Sequence, residues 1–175
     1  HLSLRRQRQM CIRDRLVSSI PPAIKSLNDE FDLKLMNHSS LEAQVAAIAD
    51  DIAYNNHDID DGLRASFFNY DDLRELPLVG DIISSLPNDF DQFEIPRINN
   101  EITRRSTSLM IDDVIGSIIQ NIALLKIDNQ IDIRNANKQI VVFSDTMTNK
   151  VETIRTFLKK RMYQHSKVNE MSGNA

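Results

Sequence analysis

An unbroken helical periodicity constrains this chain more than any other feature. Leu41, Val45, Ile48, Ile52, Ile59 and Leu63 recur at intervals of three, four and seven with no proline between them, which forms one stripe on a helix advancing about 100° per residue. Such a helix runs roughly 40 Å and should be the spine of the domain. Ser39 is the expected N-cap, with Glu42 three residues on at the capping-box spacing, and the element should close near Ser66 to Phe68. With only 4 Gly and 5 Pro in 175 residues, a turn-dense sandwich or barrel is disfavoured. The fold class expected is all-α, an irregular multi-helix bundle of three long helices plus short connecting helices.

The remaining elements follow from caps and breakers. Pro21 and Pro22 mark residues 16–38 as an irregular or short helical lead-in. Asn69 is the expected cap of the next helix, with Asp71 and Asp72 in its first turn, and Pro77 splits that region into two short helices. "PNDFDQFEIP" is a connector. A second long helix starts at Pro96, carries Ile98, Ile102, Leu109, Met110, Val114, Ile118 and Ile122 on its stripe, and ends near Leu125. "KIDNQIDIRNANKQIVVF" lacks a period and, with no partner strand for Ile140 to Phe143, reads as extended loop. Ser144 caps a third strong helix that buries Met147, Val151, Ile154, Leu158 and Met162 and turns Lys150, Lys159 and Lys160 outward. Met36, Met110, Met147 and Met162 are expected as core filler, Arg161 and His165 as surface or packing residues, and residues 171–175 as a frayed tail.

With 41% apolar and 26% charged residues, one globular domain is the default. The purely apolar runs are a few residues each, so no bilayer span, and no membrane partner, is expected. The single cysteine, Cys11, cannot form an internal disulfide, which fits a reducing, cytoplasmic setting. The net charge of -4 hides an asymmetry: residues 1–15 hold five arginines and one Asp, leaving 21 − 5 = 16 basic and 25 − 1 = 24 acidic groups in the other 160, a net of -8. We read residues 1–15 as a non-native, disordered basic extension resembling translated sequencing adapter and exclude them from fold reasoning. The acidic body argues against nucleic acid as a partner.

Chemistry concentrates in "ADDIAYNNHDIDDG", Ala49 to Gly62. Asp50, Tyr54, His57, Asp58 and Asp61 project opposite the apolar stripe. One reading is the solvated side of an amphipathic helix. The other is a site, favoured by an aromatic at Tyr54 on an otherwise polar face and by Asn and Asp residues that weaken the helix by a few tenths of a kcal/mol each relative to Ala. The EF-hand pattern fails, because counting back from Gly62 puts His57 and Ile59 at ligand positions. No nucleophile elbow and no phosphate-cradling Gly-rich loop is present.

"SLEAQVAAIADDIAYNNHDIDDGLRA", with "LPLVGDII", "FS" at 143–144 and "FLKKRMYQHSKV", resembles the bacterial deoxyguanosinetriphosphate triphosphohydrolases of the HD phosphohydrolase superfamily. The resemblance covers roughly residues 20–170, with 39–170 as the helical C-terminal part that includes the phosphohydrolase-associated domain. It implies all-helical homo-oligomers that bind one divalent metal ion, such as Mg or Mn, and cleave a deoxynucleoside triphosphate to the nucleoside and triphosphate. It places the final metal-ligand Asp on Asp50, a tyrosine beside the deoxyribose on Tyr54, and a carboxylate to the sugar 3′-hydroxyl on Asp58. Asp51 stands where some vertebrate relatives place a phosphate-binding lysine, and Arg104 and Arg105, with small hydroxyls, where they carry an aromatic and an amide for base and sugar contact.

The family's first His and His-Asp pair have no counterpart before residue 38, and His57-Asp58 lies downstream, so it is not that pair. The chain is therefore expected to be a fragment that binds no metal and is inactive alone, with no catalytic residue of its own. The alternative is a non-catalytic helical adaptor or regulatory protein retaining the scaffold. DNA upstream of codon 16 discriminates the two: an in-frame His followed by a His-Asp pair is expected for the fragment, a native start codon for the adaptor.

Overall fold

The computed structural model describes residues 22–31, 37–87 and 93–163. The basic extension at 1–15 with Cys11, Met36, the middle of the 86–96 connector, His165 and the tail at 171–175 lie outside the described residues. Within them are seven α-helices and no strand, as the periodicity implies. These are α1 (Pro22–Glu30), α2 (Leu41–Arg64), α3 (Tyr70–Arg74), α4 (Val79–Ser84), α5 (Ile95–Leu125), α6 (Gln130–Asn135) and α7 (Asp145–Leu158), which runs on into a π-helical turn at Lys159–Tyr163. The chain divides into two compact units, one drawn from His1–Ala47 and Ile118–Val141, the other from Ile48–Ser117 and Val142–Ala175.

In the first unit the segment without periodicity is an irregular stretch plus one helix that the sequence reading missed, α6. Its Asn129 cap accepts from the Ile131 and Asp132 amides, and Asp132 answers from the third position. A short helix whose residues are all exposed or half-buried shows no apolar stripe. Beyond it Ile140 and Val141 are buried with no strand beside them, so their backbone groups need other partners. Gln44 of α2 supplies an acceptor for the Ile140 and Val141 N–H groups at 3.0 and 3.2 Å, and its own amide donates to the Ser39 carbonyl. Asn121 of α5 donates to the Ile140 carbonyl at 2.9 Å. Side-chain amides thus do what a neighbouring strand would.

The second unit is built on apolar stripes. Ile52 and Ile59 of α2, Leu73 of α3, Ile82 and Ile83 of α4, Ile98, Ile102, Met110 and Val114 of α5, and Met147, Val151, Ile154 and Leu158 of α7 are all buried. Two expected core positions are exposed, Leu109 in this unit and Val45 in the first. The helices turn Gln44, and Ser106 with Asn99, into the interior instead, so the buried side includes polar residues that an apolar count leaves out. Met162 is half-buried against Gly62. Ser144 caps α7 as expected, accepting from the Met147 amide, and is itself held by Asp113 at 2.6 and 2.8 Å.

Helix ends give further corrections. The cap of α2 is Ser40, one residue later than expected, because the helix starts at Leu41 and the Ser40 hydroxyl accepts from the Ala43 amide. Glu42 is a helix residue whose carboxyl is held below the usual range by its own backbone amide and then by Ser40. At the other end the Phe67 amide bonds the Gly62 carbonyl and the Ser66 amide the Leu63 carbonyl, a Schellman closure. α5 closes the same way through Ile127 to Ile122 and Lys126 to Ala123. Both left-handed positions carry side chains, Ser66 at φ 56° and Lys126 at φ 52°. The expectation that no segment is long and apolar enough for a bilayer is also corrected: α5 holds an 18-residue window of mean hydropathy 1.4. Beyond Arg105 its only charges are Asp112 and Asp113, so short apolar runs average high.

Around Pro77 the backbone is tight. Leu78, buried at φ 72° and ψ -60°, centres a three-residue turn closed by the Val79 amide on the Pro77 carbonyl, a strained geometry for a side-chain-bearing residue. A Cβ on Gly80 would lie 2.2 Å from the Arg74 carbonyl oxygen. Gly80→Ala is therefore expected to destabilise the fold by about 2 kcal/mol or more. Lys126→Gly, relieving a left-handed side chain, should stabilise it by about 0.5–1 kcal/mol. Thermal unfolding followed by circular dichroism reads both, and a neutral Gly80→Ala would mean that the α3–α4 approach is looser than described.

Candidate functional site

α2 delivers the acidic cluster, and its rotation sorts the residues by depth. Ile52 and Ile59 sit 1–5% exposed on the inner side. Around that line Asn55, Asn56 and Asp58 are also buried, at 1%, 2% and 9% exposure. Tyr54 is half-buried, while Asp50, His57 and Asp61 are exposed. The five residues expected on one outward face therefore part company. Asp58 belongs to the flank of the buried side, since it is only about 100° from Ile59 around the helix axis. From Asp50 through Tyr54 to Asp58 the side chains pass from water to interior over two helical turns, about 12 Å.

The structure adds a cation that sequence reasoning missed. Arg155 of α7, half-buried, places Nη2 3.3 Å from the Asp51 carboxylate and its Nε–H 3.4 Å from Asn55 Oδ1. It also pairs with Glu152 at 2.9 Å. Asp51 and Asn55 bracket Tyr54, and Asp51 adjoins Asp50, so one guanidinium stands beside the first part of the cluster. Arg155 is 100 residues away in the chain and lies next to the buried stripe of α7, so no local pattern marks it.

Deeper in, the face is polar and incompletely paired. Asn56 Nδ2 donates to the Ile52 carbonyl at 2.8 Å and approaches Met110 Sδ at 3.7 Å. Asn56 Oδ1, Asn55 Nδ2 and Ser106 Oγ are buried with no hydrogen-bond partner among the described residues. Farther along α2, Asp60 pairs with Arg64 at 2.8 Å and accepts from Asn99 Nδ2 at 3.2 Å, while Tyr70 donates to Asn99 Oδ1 at 2.7 Å. These contacts bind α2, α3 and α5 together and leave α5 antiparallel to α2.

A metal ion is a separate question. Hard divalent cations need several oxygen or imidazole ligands converging on one point, and no group of three or more His, Cys, Asp or Glu side chains does so among the described residues. What the face offers is one exposed carboxylate, a ring edge, a buried carboxylate and an adjacent guanidinium.

No protein-family model matches the chain. Curated relatives do. A protein from Caulobacter sp. (strain K31) named deoxyguanosinetriphosphate triphosphohydrolase-like protein is 39% identical over 153 residues, 87% of this chain and 39% of its own length. A protein of the same name from Parvibaculum lavamentivorans is 38% identical over 161 residues, 92% of this chain and 41% of its own. Another, from Rhizobium etli, is 39% identical over 156 residues, 89% and 38%. The chain spans about two fifths of the length of the curated relatives it matches.

The unpaired Ser106 hydroxyl generates a direct test of the buried face. A buried hydroxyl without a partner costs about 1–3 kcal/mol relative to a satisfied one, so Ser106→Ala should leave stability unchanged or raise it by up to about 1 kcal/mol in urea unfolding. A loss above about 1 kcal/mol would show that the hydroxyl has a partner inside the folded protein.

Proposed function

We propose that this chain, a relative of the deoxyguanosinetriphosphate triphosphohydrolase-like proteins over nearly all of its own length, forms one wall of the nucleotide pocket of a dNTP triphosphohydrolase. The observation that carries the reading is the graded face of α2 in a chain 38–39% identical to proteins of that name. In this reading Asp50 contributes one carboxylate to a divalent metal ion whose other ligands lie outside the described residues. Tyr54 packs its ring beside the deoxyribose, where a planar surface discriminates against a bulkier 2′ substituent. Asp58 accepts from the 3′-hydroxyl; its burial strengthens that hydrogen bond by excluding competing water.

Arg155 extends the reading. A triphosphate brings several negative charges beside Asp50 and Asp51, and a guanidinium already held between Asp51 and Asn55 can turn its remaining N–H donors to phosphate oxygens. Asp51 then fixes the arginine. A homo-oligomer, a cytoplasmic setting and the deoxynucleoside-plus-triphosphate reaction belong to the same proposal. So does the inactivity of the 175-residue chain alone: with Mg or Mn it should release no triphosphate from dGTP above the buffer rate.

The decisive experiment is a chimera in which this chain replaces the matching stretch of the Caulobacter relative. The chimera should hydrolyse dGTP. Within it, Asp50→Asn should lower kcat at least about a hundredfold, Arg155→Gln should raise KM more than it lowers kcat, and Tyr54→Leu should narrow the preference for deoxyribose over ribose. An active chimera indifferent to Asp50→Asn sinks the assignment of that carboxylate. A well-folded but inactive chimera, beside an active parent, favours the adaptor.

A further inference from the structure

Asp58 and Asp60 flank Ile59 on α2, each about 100° from it around the axis, yet they settle at different depths. Asp58 is buried at 9% exposure, whereas the Asp60 side chain keeps 21% of its surface. Both belong to one rigid helix, so the two flanks move together. A turn of α2 that lifts Asp58 toward water carries Asp60 inward, and the reverse turn drives Asp58 in and Asp60 out. Ile59 sets this rotation only coarsely, because apolar burial has no direction of its own.

Asn99 of α5 holds the Asp60 flank. It is 1% exposed, its Nδ2 donates to Asp60 Oδ1 at 3.2 Å, and its Oδ1 accepts from the Tyr70 hydroxyl of α3 at 2.7 Å. One amide therefore joins three helices with both of its polar groups used. The other Asp60 oxygen accepts from Arg64 at 2.8 Å, so the carboxylate is gripped at each oxygen. This place needs a donor and an acceptor on one short side chain: an aspartate would set a second carboxylate against Asp60, and a leucine of similar bulk offers neither group. Atoms at the surface of a helix lie about 5–6 Å from its axis, so a rotation of about 30° moves them by about 3 Å. That displacement takes a 3.2 Å hydrogen bond out of range, while an apolar stripe stays covered through it.

We propose that Asn99 is a positioning residue for Asp58: by tying Asp60 to α5 and α3 it sets the rotation of α2 at which the Asp58 carboxylate stays buried. Asn99 acts through Asp60 and the helix between Asp60 and Asp58, and touches no reacting group in this role. The consequence for substrate choice rests on the reading of α2 as a nucleotide wall, whereas the rotation is a property of this chain and is measured without a ligand. In that reading the depth of Asp58 keeps water from its contact with the 3′-hydroxyl. A nucleotide without that hydroxyl gains nothing from a well-placed Asp58, so Asn99 contributes to the choice between a deoxynucleotide and a dideoxynucleotide.

Carboxylate footprinting of the 175-residue chain tests the rotation. A water-soluble carbodiimide with glycine ethyl ester labels accessible carboxylates, and peptide mass spectrometry reads the rates at Asp58, Asp61 and Asp113. Asp58 should label at least about tenfold more slowly than the exposed Asp61. Asn99→Leu should speed Asp58 about fivefold or more, and Tyr70→Phe, which removes one of the two Asn99 bonds, about twofold. Asp61 should be unchanged in both, as should Asp113 of α5, which is held by Ser144 and reports general loosening. Tyr70→Phe keeps the comparison decisive where Asn99→Leu does not fold. The second measurement is the ratio of kcat/KM for dGTP to that for 2′,3′-dideoxyguanosine triphosphate in the Caulobacter chimera, which Asp58→Asn and Asn99→Leu should each lower about fivefold or more. The proposal is overturned if Asp58 labels no faster in the variants, if Asp113 quickens in step with it, or if Asp58→Asn lowers the ratio and Asn99→Leu does not. A ratio that Asp58→Asn itself leaves unchanged overturns the nucleotide reading instead, and the footprint then decides the rotation alone.

Discussion

The rotation of α2 about its own axis is the constraint on which the second unit depends. Ile52 and Ile59 face inward, and Gly62 lets the helix approach Phe68 so closely that a Cβ would lie 2.2 Å from the ring. With those three positions inward, the 100° step leaves no freedom for the rest. Asp50 must face water, Tyr54 must lie at the margin and Asp58 must enter the interior. A register change that brought Asp50 inward would expel Ile52 or Ile59, at about 1.5–3 kcal/mol for each side chain exposed.

That rotation has a cost, because it also buries Asn55 and Asn56. An apolar residue at either place would need no partner, whereas each amide group left unsatisfied in the interior costs about 1–3 kcal/mol. Asn56 recovers part of this by donating to the Ile52 carbonyl one turn earlier, and Asn55 by accepting from Arg155. The contrast with Gln44 is informative. Its oxygen and nitrogen are both engaged, and its work is structural, replacing a strand edge for Ile140 and Val141. Asn55 and Asn56 are only half engaged, whereas Asn99 is engaged at both side-chain atoms.

Much of the fold was legible because long helices announce themselves through apolar spacing. The three long helices, the Asn69 and Ser144 caps and the Pro77 break all lie where the residues put them. The errors share a cause: apolar spacing sees only apolar residues. Val45 and Leu109 were placed inside and Gln44, Asn99 and Ser106 were not, because a buried amide or hydroxyl is defined by partners distant in sequence. Helix α6 escaped notice since its stability comes from a capping box, not from a stripe. Of the site, Asp50, Tyr54 and Asp58 were legible as helical neighbours, but their unequal depth was not. Arg155 was invisible, because its meaning comes from a contact made across 100 residues.

α7 shows how such contacts divide their labour. Its N-cap, Ser144, is tied to α5 through Asp113, its middle to α2 through Arg155, and the π-helical turn that follows it to α3 through Arg161 on Asp72 at 2.8 Å. Ion pairs this exposed contribute about 0–1 kcal/mol each, so they do not hold the helix in place. Met147, Val151, Ile154 and Leu158 do, being buried along its whole length, and Phe157 adds an edge-on contact to Phe68 at 5.1 Å. Apolar stripes, however, tolerate sliding by a turn. Three charged or capped contacts at the start, middle and end of one element do not, since a slip of about 5.4 Å would break all three together. The charges therefore set register where the apolar surface sets affinity, and it is register that keeps the Arg155 guanidinium beside Asp51 and Asn55.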